Sequence, residues 1–268
     1  EHLSLVSQGK PLSFDQAREF QRFILTNQFA EQDLVLAFQY FSQRTLTYEE
    51  LLGFYLASKE AMLTIAGSEN TLDTCGTGGD KSGSFNISTA AALICAAAGV
   101  PVAKHGNFAA SSLCGSADVL ETLGVNIKVN GEQAGECLKE CSFVFLLAKN
   151  FHPAFRFVAP VRKIYGQKTY FNFLGPLLNP AQARYRAHGF SHASQIQNLG
   201  KILISSGVKK AWLVRSEDGL DEISPVQPTQ IWEFQPGEET VTFTINPAEF
   251  GFSGLNLQDI KGGDAQVN

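Results

Sequence analysis

Among the 268 residues no apolar run reaches the roughly 20 needed to span a bilayer, and no N-terminal secretion pattern is visible. Clustered positive charge is missing too. Lys and Arg number 21 against 26 Asp and Glu, giving a net charge of −5 and a pI near 5.6, which argues against a surface for nucleic-acid phosphates. CxxC spacing is absent. The five cysteines, Cys75, Cys95, Cys114, Cys137 and Cys141, are odd in number and scattered, as expected of reduced thiols in a cytoplasmic protein. No internal repeat or low-complexity tract is present, and glycine is nearly missing from the first 66 residues. The first residue is Glu1 rather than Met, as expected of a trimmed chain.

What is present is a globular composition, 44% hydrophobic and 18% charged, long enough for one large domain or two. The glycine-poor stretch has helical periodicity. Pro11-Leu12-Ser13 precedes a helix start at Phe14, with Phe20, Phe23 and Ile24 on one face. Leu34, Leu36, Ala37, Tyr40 and Phe41 repeat that pattern. Thr47, with Glu50 three residues on, forms a capping box for a third helix through Leu51, Leu52, Tyr55 and Leu56. The aromatics here, Phe38 and Phe54 among them, are expected in a core.

Residues 73–89, DTCGTGGDKSGSFNIST, are of another kind. A strand end at Thr71 and Leu72 leads in, and the run 90–98, closed by Gly99, predicts a helix with Ser88 or Thr89 as N-cap. The four glycines between them let backbone N–H groups turn inward as an anion nest, and the helix N-terminus adds partial positive charge. Such a place suits a phosphate. The spacing matches neither GxxxxGKS/T, since Ser84 follows Gly83, nor GxGxxG, since Lys81 stands where the third glycine belongs. Taken alone, the loop reads as an ordinary glycine-rich turn.

A second polar loop, Lys104-His105-Gly106-Asn107, is followed by Ser111-Ser112 and by Gly115-Ser116-Ala117-Asp118-Val119-Leu120-Glu121. It comes after a strand candidate at 100–103 and before a helix ended by Gly124. This order puts both loops at the carboxyl ends of neighbouring parallel strands, where open α/β sheets bind ligands. With GTGGD, FNIST, KHGN and GSADVLE together, the chain resembles the anthranilate phosphoribosyltransferases of tryptophan biosynthesis over residues 12–263. The resemblance implies an α/β fold. A small N-terminal helical domain (1–68, with a hinge segment returning at about 154–182) would form a homodimer face, and a large domain (69–268) would hold a mostly parallel central sheet.

The resemblance also implies a reaction. The anthranilate amine attacks C1 of phosphoribosyl pyrophosphate and pyrophosphate leaves, so phosphates must be neutralised, Mg²⁺ held and a poor nucleophile aligned. Expected at phosphoribosyl pyrophosphate are Gly76, Thr77, Gly78, Gly79 and Asp80, then Asn86, Ser88 and Thr89 on the next turn. Lys104 would add a mobile positive charge, and Ser116 would bind there or simply cap its helix. Asp221 and Glu222 in GLDEISP match the family's metal position, with Ser88 as a further ligand, although most acidic loop clusters are merely solvated. Arg162 in PVRK would hold the anthranilate carboxylate bidentately, with His105, Asn107 and Pro176 completing the acceptor pocket. His152 is open between pocket and core; His188 and His192 carry no motif.

Downstream, Asn130-Gly131 marks a turn, 132–140 a helix and 143–147 a buried strand. A strand from Ala187, a helix at 193–206 and a strand at 211–214 follow, then a hairpin about Pro236-Gly237 joining 230–234 to 239–245. Phe108 and Lys168 stand where the family commonly has Arg, and Phe155 where Met is commoner. Family members continue into further C-terminal helices, so the chain is expected to be a piece of a longer protein or to cover the bared face in an oligomer. Two other readings stay open. One is a same-fold nucleoside phosphorylase or a phosphoribosyltransferase with another acceptor, for which a cation at Arg162 is not needed. The other is a catalytically silent, nucleic-acid-binding relative, against which the acidic pI speaks.

Overall fold

A computed structural model describes residues 2–66, 68–78, 80, 82–109, 113–190 and 193–268. Gly79, Lys81, Ser111, Ser112 and His192 lie outside the described residues.

Four helices come first: α1 (His2–Ser7), α2 (Phe14–Leu25), α3 (Glu31–Ser42) and α4 (Tyr48–Glu60). Two start where local chemistry dictates. Ser13 and Gln16 exchange side-chain-to-backbone bonds at the head of α2, and Thr47 and Glu50 do the same at α4. Glu50 is fully buried, and its carboxylate is satisfied by Arg44 at 2.5 and 2.7 Å and by the Leu12 N–H at 3.0 Å. Gly53 lets α2 close on α4, since a Cβ there would sit 2.8 Å from Ala17 Cβ. Phe20, Phe38, Phe41 and Phe54 are buried as expected. Leu36 is not. The buried stripe of α3 is Leu34, Ala37, Phe38 and Phe41, an i, i+3, i+4, i+7 set that leaves Leu36 outward.

The rest alternates strand and helix: β1 (Leu72–Gly76), α5 (Ile87–Ala97), β2 (Val102–Gly106), α6 (Ser116–Thr122), α7 (Gly131–Cys141), β3 (Phe143–Leu147), α8 (Ala148–Phe151), α9 (Ala159–Tyr165), α10 (Phe171–Leu177), β4 (Tyr185–Gly189), α11 (Ile196–Ser205), β5 (Lys210–Ser216), β6 (Thr229–Phe234) and β7 (Val241–Ile245). The strands form one sheet in the order β3-β2-β1-β4-β5-β6-β7, parallel from β3 to β5 and antiparallel beyond. The expected α/β class and mostly parallel sheet are therefore present. Strand order reverses between β1 and β4, and at such a switch point a crevice opens beyond the strand carboxyl ends.

Three local expectations need correction. β2 starts at Val102 and runs through Gly106, because Pro101 has no N–H for the ladder. Asn130-Gly131 is no free turn: Asn130 caps α7, its side chain accepting the Gln133 N–H at 2.9 Å. β4 begins two residues before Ala187 and so includes Arg186. One buried cluster joins α2, α3 and α4 to α9, α10, α11 and β5. No helix among the described residues is long and apolar enough to cross a membrane.

Candidate active site

Gly76 and Gly189 end β1 and β4 side by side, and the loop after β5 reaches in over them. A Cβ on Gly76 would lie 2.6 Å from Asp221 Oδ2, and one on Gly189 would fall on the Asp221 backbone carbonyl. Asp221 accepts the Gly78 N–H at 2.7 Å, and Glu222 accepts the Ser88 N–H in the first turn of α5 at 3.3 Å. The Thr77 N–H, expected to face phosphate, is given to the Gly189 carbonyl at 2.9 Å. Two of the backbone donors expected at an anion, Gly78 N–H and Ser88 N–H, are thus taken up by the protein's own carboxylates.

Those carboxyls resist ionisation. Burial and then the Asp80 charge raise Asp221 to about 6. Burial and then the Asp221 charge raise Glu222 to about 8, against the pull of Lys104 and the Ser88 N–H. Crowded hard oxygens of this kind are a donor set whose repulsion a divalent cation relieves. A second group, Asp73, Cys75 and His188, also brings donor atoms within 4.8 Å of one another. There Arg186 already supplies the positive charge, bonded to Asp73 at 2.8 Å.

Lys104 is not mobile. It lies within β2 rather than beyond it, and its buried Nζ donates to the Thr74 carbonyl and, at 3.2 Å, to Ser88 Oγ. Burial lowers its pKa, opposed by the negative charges of Asp73 and Glu222. Ser88 and Thr89 do not cap α5, which starts at Ile87 with Asn86 in the cap position. Ser88 is drawn into tertiary bonds instead, its carbonyl accepting Thr74 Oγ1 at 2.8 Å. Thr89 Oγ1 and Asn86 Oδ1 are buried without a partner among the described residues. The loop ahead of α5 is strapped by a distant segment: Phe85 N–H donates to the Ile260 carbonyl, Gly262 N–H to the Gly83 carbonyl, and Asn86 N–H to Asn268 Oδ1 at 2.7 Å.

Ser116 likewise is the first residue of α6 after a Gly115 cap, and its hydroxyl donates to the Asn107 carbonyl at 3.3 Å. Gly106 allows this approach, since a Cβ would strike Ser116 Oγ and come 2.8 Å from the Phe145 ring. His105 is buried with its Nε2 3.2 Å from Nε2 of His152, which stacks on Phe155. Pro176 is buried within α10. Arg162, on α9, is half-buried; its Nη2 donates to Asn172 Oδ1 at 3.1 Å, and its Nε is buried without a partner among the described residues. Lys168 spans toward the glycine loop, donating to the Gly78 carbonyl at 3.3 Å.

Sequence reasoning passed over the group beneath the site. Asp73 on β1 accepts the His105 N–H at 3.1 Å on one oxygen, and on the other meets Arg186 at 2.8 Å and His188 at 3.3 Å. Burial alone would raise its pKa, but the His188 bond and the His188, Arg186 and His105 charges hold it well below the carboxylate range. The available signal was polar alternation, since Arg186 and His188 fall on one face of a strand with apolar neighbours.

The family model described as "Glycosyl transferase family, a/b domain" matches residues 68–268. The anthranilate phosphoribosyltransferase of Methylorubrum extorquens is 40% identical over 267 residues, covering 100% of this chain and 79% of its own length. That of Herpetosiphon aurantiacus is 44% identical over 222 residues, covering 83% of this chain and 66% of its own. Among solved structures, the anthranilate phosphoribosyltransferase of Thermus thermophilus superposes with a TM-score of 0.89 at 36% identity, over 99% of this chain and 79% of that one. The Saccharomyces cerevisiae enzyme, in complex with PRPP and Mg, gives 0.84 at 27% identity, over 95% and 74%. Identity of this order along the whole chain, on a shared fold, makes the chain a member of the anthranilate phosphoribosyltransferase family.

Proposed function

We infer that this chain transfers the phosphoribosyl group of phosphoribosyl pyrophosphate to the amine of anthranilate, releasing pyrophosphate, in tryptophan biosynthesis. Family membership supports the reaction. The observation that carries it to the site is the pair of backbone donors, Gly78 N–H and Ser88 N–H, each held by a carboxylate with a raised pKa.

Asp221, Glu222 and Ser88 Oγ fit Mg²⁺, being oxygen donors whose mutual crowding a cation relieves; bound there, it would neutralise charge on the leaving pyrophosphate. When the two carboxylates turn away from the nest, the Gly78 and Ser88 N–H groups are left pointing at a phosphate. Gly76, Thr77 and Asp80 belong to that loop, Thr89 offers an unpartnered hydroxyl to phosphate and Asn86 an unpartnered amide oxygen to a ligand hydroxyl, and Lys104 contributes its charge from below; Gly79, expected in the same set, lies outside the described residues. Ser116 joins this set beside Asn107.

For the acceptor, Arg162 offers an unpartnered Nε to a carboxylate. His105, Asn107 and Pro176 would line the pocket, His152 standing behind His105. The reading extends to residues 1–68 with 154–182 as a helical domain against 69–268; α9 and α10 share a buried cluster with α2–α4, and that cluster runs on into α11 and β5 of the larger part. It extends also to a homodimer through the helical bundle and to the cytoplasm. The test is direct. Anthranilate fluorescence should fall when phosphoribosyl pyrophosphate and Mg²⁺ are added with the protein, and unchanged fluorescence would overturn the reading.

A further inference from the structure

We propose that Asn172 is the positioning residue for Arg162, holding Nη2 of the guanidinium so that the buried, unshared Nε–H is aimed at the carboxylate of an aromatic acceptor. The proposal rests on the acceptor reading above and adds to it the group that aims the cation.

Asn172 Oδ1 accepts two bonds, from the Thr169 N–H at 2.9 Å and from Arg162 Nη2 at 3.1 Å. Both partners are obligate donors, so only the amide oxygen can sit there, and its orientation is fixed by chemistry. The Arg162 guanidinium also lies over the Phe171 ring, 5.6 Å from its centroid. One nitrogen and one face of a planar group are therefore held. Among the donors left over, Nε is buried and has no partner among the described residues. Burying an unpaired donor is unfavourable unless a ligand oxygen completes it, and the fork of a guanidinium suits a carboxylate.

The platform beneath is rigid. Phe171 stacks on Tyr170 with centroids 4.7 Å apart, and Tyr170 stacks on Phe54 of α4 at 4.4 Å. The Tyr170 hydroxyl donates to the buried Gln21 of α2 at 2.7 Å, and Gln21 in turn donates to Ser58 of α4 at 2.8 Å. Arg162 is thereby referenced to the helical bundle through α10 rather than left to its own rotamers. A neutral amide suits the role. An aspartate would bond equally well, but its charge would compete with the incoming carboxylate for the cation.

The test compares Arg162→Ala, Asn172→Ala and Asn172→Asp by steady-state kinetics, with melting temperature measured alongside. Asn172→Ala should raise the KM for anthranilate by roughly tenfold while the KM for phosphoribosyl pyrophosphate stays within about twofold. Asn172→Asp keeps the accepting oxygen, so it should melt near wild type and still raise the anthranilate KM selectively. A merely structural Asn172 would leave that variant close to wild type in both constants. If Arg162→Ala is selective for anthranilate but neither Asn172 variant is, the positioning role is overturned and the acceptor reading stands. Should Arg162→Ala damage both constants equally, the acceptor reading fails and this proposal with it. Where Asn172→Ala does not fold, Asn172→Asp decides alone.

Discussion

His105 Nε2 and His152 Nε2 face each other at 3.2 Å, with both rings buried. Two neutral imidazoles share one proton across such a contact, one nitrogen donating and the other accepting. A further proton would bury a charge with no counter-ion between them. Burial accordingly pushes His105 down to about 4 and, together with the His105 charge, His152 to about 3.

Both values lie below the free histidine value of about 6.5, so between those limits the unfolded chain binds more protons than the folded one. Stability from the pair is full above about 6.5 and falls as pH drops. For His152 the loss at pH 5 is about 2 kcal/mol. Asp221 and Glu222, with raised values, act in the opposite sense. The readout is therefore a difference: the melting-temperature gap between wild type and His152→Asn should shrink on going from pH 7 to pH 5. A constant gap would show that the pair is not held neutral.

Arg162→Ala should raise the KM for anthranilate about ten- to a hundred-fold, the equivalent of about 1.5–3 kcal/mol for a charge-assisted bond, and the KM for phosphoribosyl pyrophosphate little. Equal increases in the two constants would assign Arg162 to the phosphates or to the fold.

Asp221→Asn combined with Glu222→Gln should lower turnover at saturating Mg²⁺ by roughly a hundredfold or more. The same variant should melt at or above the wild-type temperature, because it removes two carboxylates that burial and mutual repulsion disfavour. Wild-type rates would sink the metal assignment. A collapsed melting temperature would show the pair to be structural.

Gly189→Ala should displace the Asp221 carbonyl, on which its Cβ would fall, and cost about 1–3 kcal/mol with at least a tenfold drop in activity. Gly135→Ala is the matched control. It lies in α7 with nothing within 4 Å of the added methyl, and should stabilise by about 0.5–1 kcal/mol without touching the kinetics. Calorimetry and initial rates on the two variants separate them.

Features written within a few residues could be read in advance. Thr47 and Glu50 are three apart, so their box is visible in the letters alone, and the unbroken apolarity of β3 marks a strand covered on both faces. The Asp73 group could not be read that way, because Arg186 and His188 lie 113 and 115 residues further on, and only the placement of β4 beside β1 joins them. The fixed place of Lys104 is hidden from the sequence for a related reason. Its motif looks like a loop, but pairing with β3 continues through Gly106 and puts the ammonium under the helix. A glycine-rich turn ahead of a helix is visible in the letters, whereas the bonding of its Gly78 N–H and of the Ser88 N–H by Asp221 and Glu222 depends on how far the loop after β5 leans inward.

The strap across the glycine loop sets an order of events during synthesis. Asn86 leaves the ribosome 182 residues before Asn268, the side chain that accepts its N–H. By then the helical bundle and β1 to β3, whose partners are closer in sequence, have what they need to collapse. Of the contacts that hold the glycine loop, the strap is consequently the one drawn from the segment made latest, after Gly189, Asp221 and Glu222 are already there to bond the Thr77, Gly78 and Ser88 N–H groups.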